Sequence, residues 1–160
     1  MKRFVVVVLS LIAFVCIVGG AFYWRLDHSF SFAIHWKGER SCHGRQPCIF
    51  TLADVFPGDW DRIVIFDMNA SQAEVDSVVG EGTTRPDLQR FIVFMKGGSV
   101  VHMMTEPQSF ERPSDGEAAF DGIPLTENHY IIPRNAAFVM ARGDGEVDVL
   151  ELLKPDEVVE

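Results

Sequence analysis

The chain has 160 residues, with 14 Lys and Arg against 23 Asp and Glu, a formal charge of −9. That length leaves room for one ordinary domain beside a targeting segment. The acid excess repels nucleic acid and anionic lipid heads and attracts basic proteins or cations, although acidity also keeps a small domain soluble.

Lys2 and Arg3 are followed by FVVVVLSLIAFVCIVGGAFYW, Phe4 to Trp24, which holds no charged residue. As a helix these residues reach roughly 31 Å, enough to cross the hydrocarbon core of a bilayer. Phe22, Tyr23 and Trp24 fall where an interfacial aromatic belt belongs. An uncleaved anchor is the expectation, with a cleaved signal peptide as the alternative because Gly19, Gly20 and Ala21 are small. Cys16 follows Phe14 and Val15, too bulky for a lipobox, so it reads as an apolar residue of the span. The two basic residues at the start should stay cytoplasmic, which sends the rest across the membrane. Without them, 12 basic residues face 23 acids, a formal charge of −11.

Residues 25–30 read as a short polar linker, and SFAIHW, Ser31 to Trp36, as a first strand. CIFTLADVF, Cys48 to Phe56, reads as a second strand ending at the Pro57-Gly58 turn, and IVIFD, Ile63 to Asp67, as a central one. Ser71 and Glu74 form a capping box before the apolar stripe Val75, Val78 and Val79, and Gly80 supplies the stop, which predicts a helix of about two turns. FIVFMKGGSVVHMM, Phe91 to Met104, is a hairpin about a Lys-Gly-Gly-Ser turn. An irregular excursion follows from Glu106 to Glu127. HYIIP and AAFVMARGDGEVDVLELL supply the remaining strands, and the tail after Pro155 is acidic.

The fold expected is therefore α+β: one amino-terminal membrane helix, then a compact domain with a mainly antiparallel sheet of about seven strands and one or two short helices. The divisions are 1–24 for the membrane segment, 25–30 for the linker, 31–155 for the exported domain and 156–160 for a frayed tail.

Cys42 and Cys48 enclose five residues, HGRQP. In an oxidising compartment two cysteines this close are expected to form a disulfide that staples the start of the second strand. A zinc site built from Cys42, His43, Cys48 and His35 is the competing reading, but the spacing exceeds that of paired thiolate ligands and no second pair follows. The CxxC geometry of a redox dithiol is missing as well.

His102 and His129 would serve as general bases only with a nucleophile and an orienting acid nearby, and no GxSxG or HExxH motif supplies them. Asp54, Asp59 and Asp61 surround Trp60, yet a turn with solvated acids and Trp60 packed as a lid is the ordinary explanation. Asp144 to Asp148, DGEVD, lacks the ligand alternation of an EF-hand. No catalytic residue, metal ligand or cofactor site is expected.

The excursion is harder to dismiss. Glu106, Glu111, Asp115, Glu117, Asp121 and Glu127 against Arg112 make a net charge of −5, interleaved with Phe110, Phe120, Ile123 and Leu125. Apolar anchors among acids suit a surface for a basic partner, with Phe110, Glu111, Asp115, Glu117, Phe120 and Asp121 as its candidate contacts. The alternative is that Phe110 and Phe120 pin the loop to its own domain.

TLADVFPGDWDRIVIFD and NASQAEVDSVVG resemble a pattern in small exported proteins of Gram-negative bacteria, many of them described as lipoproteins. In these a cysteine-bearing strand leads to Trp-Asp, a hydrophobic strand and a short helix ending in Gly. The resemblance covers about a quarter of the chain and implies an envelope location but no activity. The missing lipobox departs from it.

The reading that follows is a non-enzymatic protein-binding module held at the bacterial inner membrane with its domain in the periplasm. An immunity or inhibitor protein against a toxin or lytic enzyme is one concrete form. A structural or accessory subunit of an envelope assembly is the first alternative, and a hydrolase or metal enzyme the second.

Overall fold

The computed structural model describes residues 2–38, 40, 48–107, 118–121, 123, 128–142 and 148–153. Helix α1, Lys2–His28, contains the apolar run Val7–Trp24, which is long and apolar enough to span a membrane or to be a signal sequence, and none of it is buried. The helix does not stop at Trp24. Residues 25–28, expected as a linker, continue it, and only Ser29 separates it from α2, Phe30–Ala33.

The strand expected at SFAIHW is instead helical: α2 runs on into a π-helical turn, Ile34–Gly38. Phe30, Ala33 and Ile34 are all fully buried, a spacing of three and four that fits one face of a helix and not alternation along a strand. Ser29 caps the turn, its Oγ accepting from the Phe32 amide at 3.3 Å. The aromatic residues also clasp the incoming helix, since Phe22 packs edge-on against Phe32 at 5.6 Å and Trp36 at 5.2 Å.

CIFTLADVF is half strand and half helix, with β1 at Cys48–Thr51 and α3 at Leu52–Val55. The switch falls at Thr51, whose backbone N–H and hydroxyl both donate to the Asp54 carboxylate, at 2.7 and 2.8 Å. Then come β2, Arg62–Phe66, and α4, Gln72–Val79, the helix expected from the capping box. Ser71 Oγ accepts from the Glu74 amide at 3.2 Å, and Gly80 ends the helix at φ +93°. Ser71→Ala should cost about 1 kcal/mol of stability by loss of this cap, measurable by urea denaturation.

The remaining strands are β3, Gln89–Lys96; β4, Ser99–Pro107; β5, Ala118–Asp121; β6, His129–Pro133; β7, Ala137–Arg142; and β8, Asp148–Leu152. The β3–β4 hairpin turns through Gly97 and Gly98, both at positive φ as a two-residue turn of this hand requires.

The strands form two four-stranded sheets in place of the one expected: β4-β3-β2-β6, all antiparallel, and β1-β7-β8-β5. In the second sheet β5 runs parallel to β8 and the other pairs are antiparallel. Ile63, Ile65, Ile92 and Phe94 point from the first sheet into a core shared with Phe50, Phe138 and Leu150 of the second, and Phe30, Ile34, Leu52 and Val55 close it. On the other face, Val64, Phe66, Phe91, Val93 and Met95 meet Val75 and Val79 of α4. Burial on both faces is why IVIF and FIVFM read as unbroken apolar runs without alternation.

Candidate functional site

The acidic excursion leaves the first sheet at the end of β4 and returns to it at the start of β6. Each root is held by a buried polar cluster.

At the outgoing root, Arg90 and Glu106 are register partners on β3 and β4, in phase with the core residues Ile92 and Met104. Arg90 Nη1 lies 3.1 Å from Glu106 Oε1, and both residues are buried. The same guanidinium nitrogen donates to the Ala118 carbonyl at 2.9 Å. Ser31 of α2 completes the set. Its amide donates to Glu106 Oε2 at 2.9 Å, its hydroxyl donates to Oε1 at 2.7 Å, and its Oγ accepts from the Ala118 amide at 2.9 Å. One ion pair thus joins the segment after α1 to β3, β4 and β5. Burying charge is tolerable here because each charged group meets an opposite charge and further hydrogen bonds.

At the returning root Glu74 of α4 does the holding. Oε1 accepts from the Asn128 amide at 3.0 Å and lies 2.9 Å from His129 Nδ1, while Oε2 accepts from Asn128 Nδ2 at 3.2 Å. Burial pushes the Glu74 pKa up, but hydrogen bonds from His129, Asn128 and the Ser71 backbone outweigh it, and the carboxyl ends below the usual glutamate value. The His129 ring also lies 5.6 Å from that of Phe66. A carboxylate on Nδ1 fixes an imidazole as in hydrolases, but here it also ties α4 to the foot of the excursion.

Between the roots, β5 carries Phe120, whose ring meets Phe30 at 6.2 Å, Tyr130 at 5.8 Å and Phe138 at 6.2 Å. Ile123 is partly buried against the same core. The Phe120 ring is therefore engaged within the domain. The backbone of Asp121 pairs with Glu151 of β8. Phe110, Glu111, Asp115 and Glu117 lie outside the described residues, as do Leu125 and Glu127.

The acids around Trp60 are occupied locally. Asp59 sits 2.7 Å from Lys96 Nζ, and this hydrogen-bonded ion pair holds its carboxyl below the usual aspartate value. Asp61 Oδ2 accepts from the Gly97 amide at 2.6 Å, and Asp54 serves Thr51. Trp60 is buried, donates Nε1–H to the Phe56 carbonyl at 2.9 Å and lies under the Arg134 guanidinium at 4.9 Å. These contacts tie the hairpin to the core without bringing the three carboxylates together.

Among the described residues no group of three His, Cys, Asp or Glu side chains is placed to hold a metal. Cys48 is disulfide-bonded and Cys16 is free and exposed, while Cys42 and His43 lie outside the described residues. A groove of about 1090 Å³ runs along β4, lined by Trp24, Lys37, Trp60, His102, Met103 and Met104 among others. His102 stands at its wall, 5.4 Å from the Phe94 ring.

Comparison with protein-family models, with curated proteins and with solved structures gives no match. The geometry and chemistry of the chain itself are what a functional reading has to stand on.

Two signals of these clusters were present in the sequence. Arg90 alternates with Ile92 and Phe94, and Glu106 with Met104, so both occupy inward positions of their strands. Glu74 shows in sequence only its capping role. Nothing local to it points to residues more than fifty positions away.

Proposed function

We propose that this protein is a membrane-held, non-catalytic binding module that presents the acidic segment between β4 and β6 to a basic protein partner. The observation that carries this reading is the pair of buried clusters, Ser31–Arg90–Glu106–Ala118 and Glu74–Asn128–His129, which clamp the segment at both roots. A segment mounted on fixed feet loses less conformational freedom when it binds, so more of the contact energy appears as affinity. Acidic charge on it raises the encounter rate with a basic surface.

In its concrete form this is an immunity or inhibitor protein of the bacterial inner membrane, with its domain in the periplasm and Cys42 stapled to Cys48. It would block a toxin or lytic enzyme arriving there. Helix α1, apolar and exposed from Val7 to Trp24, supports the accessory-subunit alternative, in which the helix itself pairs with others.

The triple variant Glu111→Gln, Asp115→Asn, Glu117→Gln tests the reading. Full-length protein is used to capture partners from envelope extract at low and high salt, with identification by mass spectrometry. A dominant basic partner whose retention falls about tenfold in the variant and at high salt is expected. Equal retention by both proteins would reject the acidic segment as the surface. Loss of the partner only when α1 is replaced by an unrelated anchor would favour the accessory subunit.

A further inference from the structure

We propose that the β4 edge of the first sheet rests on the bilayer that holds α1, with Val101 and Met103 entering the headgroup region at the depth of Trp24. This deepens the membrane-held reading above and rests on it.

Four observations converge on that surface. Strand β4 is the edge of its sheet, and Val101 and Met103 are each 50% exposed on it. Helix α1 touches β4, and Trp24, the last residue of the apolar run, lines the same groove as Val101 and Met103. The exit of the helix is held by the Phe22 contacts to Phe32 and Trp36 and by the single residue between α1 and α2, so the domain has little slack with which to stand away from the membrane. Trp36, 43% exposed beside Phe22, adds a second indole of the kind that settles at headgroup level.

Charge fits the same orientation. Residues 25–47 hold four basic residues, Arg25, Lys37, Arg40 and Arg45, against Asp27 and Glu39, a net +2. Residues 48–160 hold eight basic residues against 21 acids, a net −13. The acid excess that disfavours lipid contact for the whole chain is thus confined to the sequence beyond residue 47. Anionic headgroups attract the first and repel most of the second, but β4 holds no acid from Ser99 to Thr105 and is spared that repulsion.

The row Met103–Val93–Val64–Ile131 crosses the first sheet in register, with Ile131 49% exposed at the opposite edge. Two exposed apolar side chains on one face, at opposite edges, therefore give a built-in comparison. Single cysteines are placed at Met103, Ile131 and Phe14 in full-length protein carrying Cys16→Ser, labelled with an environment-sensitive fluorophore under non-reducing conditions and reconstituted in nanodiscs with anionic lipid. Lipids bearing a doxyl quencher near the headgroup should lower the signal at position 103 by about twofold and leave position 131 little changed, since an interfacial apolar face sinks roughly 5–10 Å. Quenching deep in the acyl region should reach position 14. Equal signals at 103 and 131 with position 14 quenched would overturn the contact alone and leave β4 an open edge for an added strand. An unquenched position 14 would overturn the anchor and the contact together.

Discussion

Arg90→Met is expected to destabilise the domain by about 3–5 kcal/mol, the usual cost of removing one partner of a buried ion pair. Glu106 is 4% exposed, so the abandoned carboxylate has no route to bulk water, and the Ala118 carbonyl loses its donor at the same time. Ser31 still donates to both oxygens, which is why the variant should fold at all. Urea denaturation of the full-length protein in detergent, followed by tryptophan fluorescence, reads the change. A loss under about 1 kcal/mol would mean that the carboxylate is solvated in the variant, and the first root would then be no clamp. Because β5 hangs from the same cluster, the variant should also expose the excursion to proteases before the rest of the domain unfolds.

Glu74→Ala should cost about 3 kcal/mol through a different route. It leaves the Asn128 amide, Asn128 Nδ2 and His129 Nδ1 without their shared acceptor. The carboxyl is held below the usual glutamate value in the folded chain, so the folded state binds its proton more weakly than the unfolded state does. Its contribution is therefore complete above the unfolded value and declines as pH falls through the lower folded value. Glu74→Gln should lose stability at neutral pH and lack that share of the acid-induced decline. Parallel denaturation curves for the two proteins from pH 7 to pH 3 would show the gap between them narrowing toward acid. A constant gap would mean that Glu74 is equally easy to protonate in both states.

What was legible in the sequence was whatever local chemistry decides. The α4 helix shows itself because Ser71, Glu74 and Gly80 are cap and stop signals within ten residues of chain, and the β3–β4 hairpin shows itself because paired glycines suit its turn. SFAIHW misleads because Phe, Ile and Trp favour strands by propensity, whereas Ser29 and the 30, 33, 34 spacing decide for a helix. Thr51 and Asp54 likewise mark a helix start inside an apolar run that looks continuous. The division into two sheets is a tertiary fact. Alternation tells which residues face inward, but not that β1 finds β7 across most of the chain. Both root clusters belong to this kind: Ser31 reaches residue 106 and Glu74 reaches residue 129.

The strand order of the second sheet carries a consequence for how the protein comes into being. β8, residues 148–152, lies between β7 and β5, so the parallel neighbour of β5 is the last described strand in the chain. A chain made from its amino-terminal end can complete the β4-β3-β2-β6 sheet once residue 133 is available, but its second sheet has a gap until residue 152 follows. Ala118, which meets Arg90 and Ser31, belongs to the strand waiting for that closure. The Arg90 and Ser31 contacts to Ala118 should accordingly become fixed only after residues 148–152 are in place, which makes β8 the last piece on which the outgoing root depends.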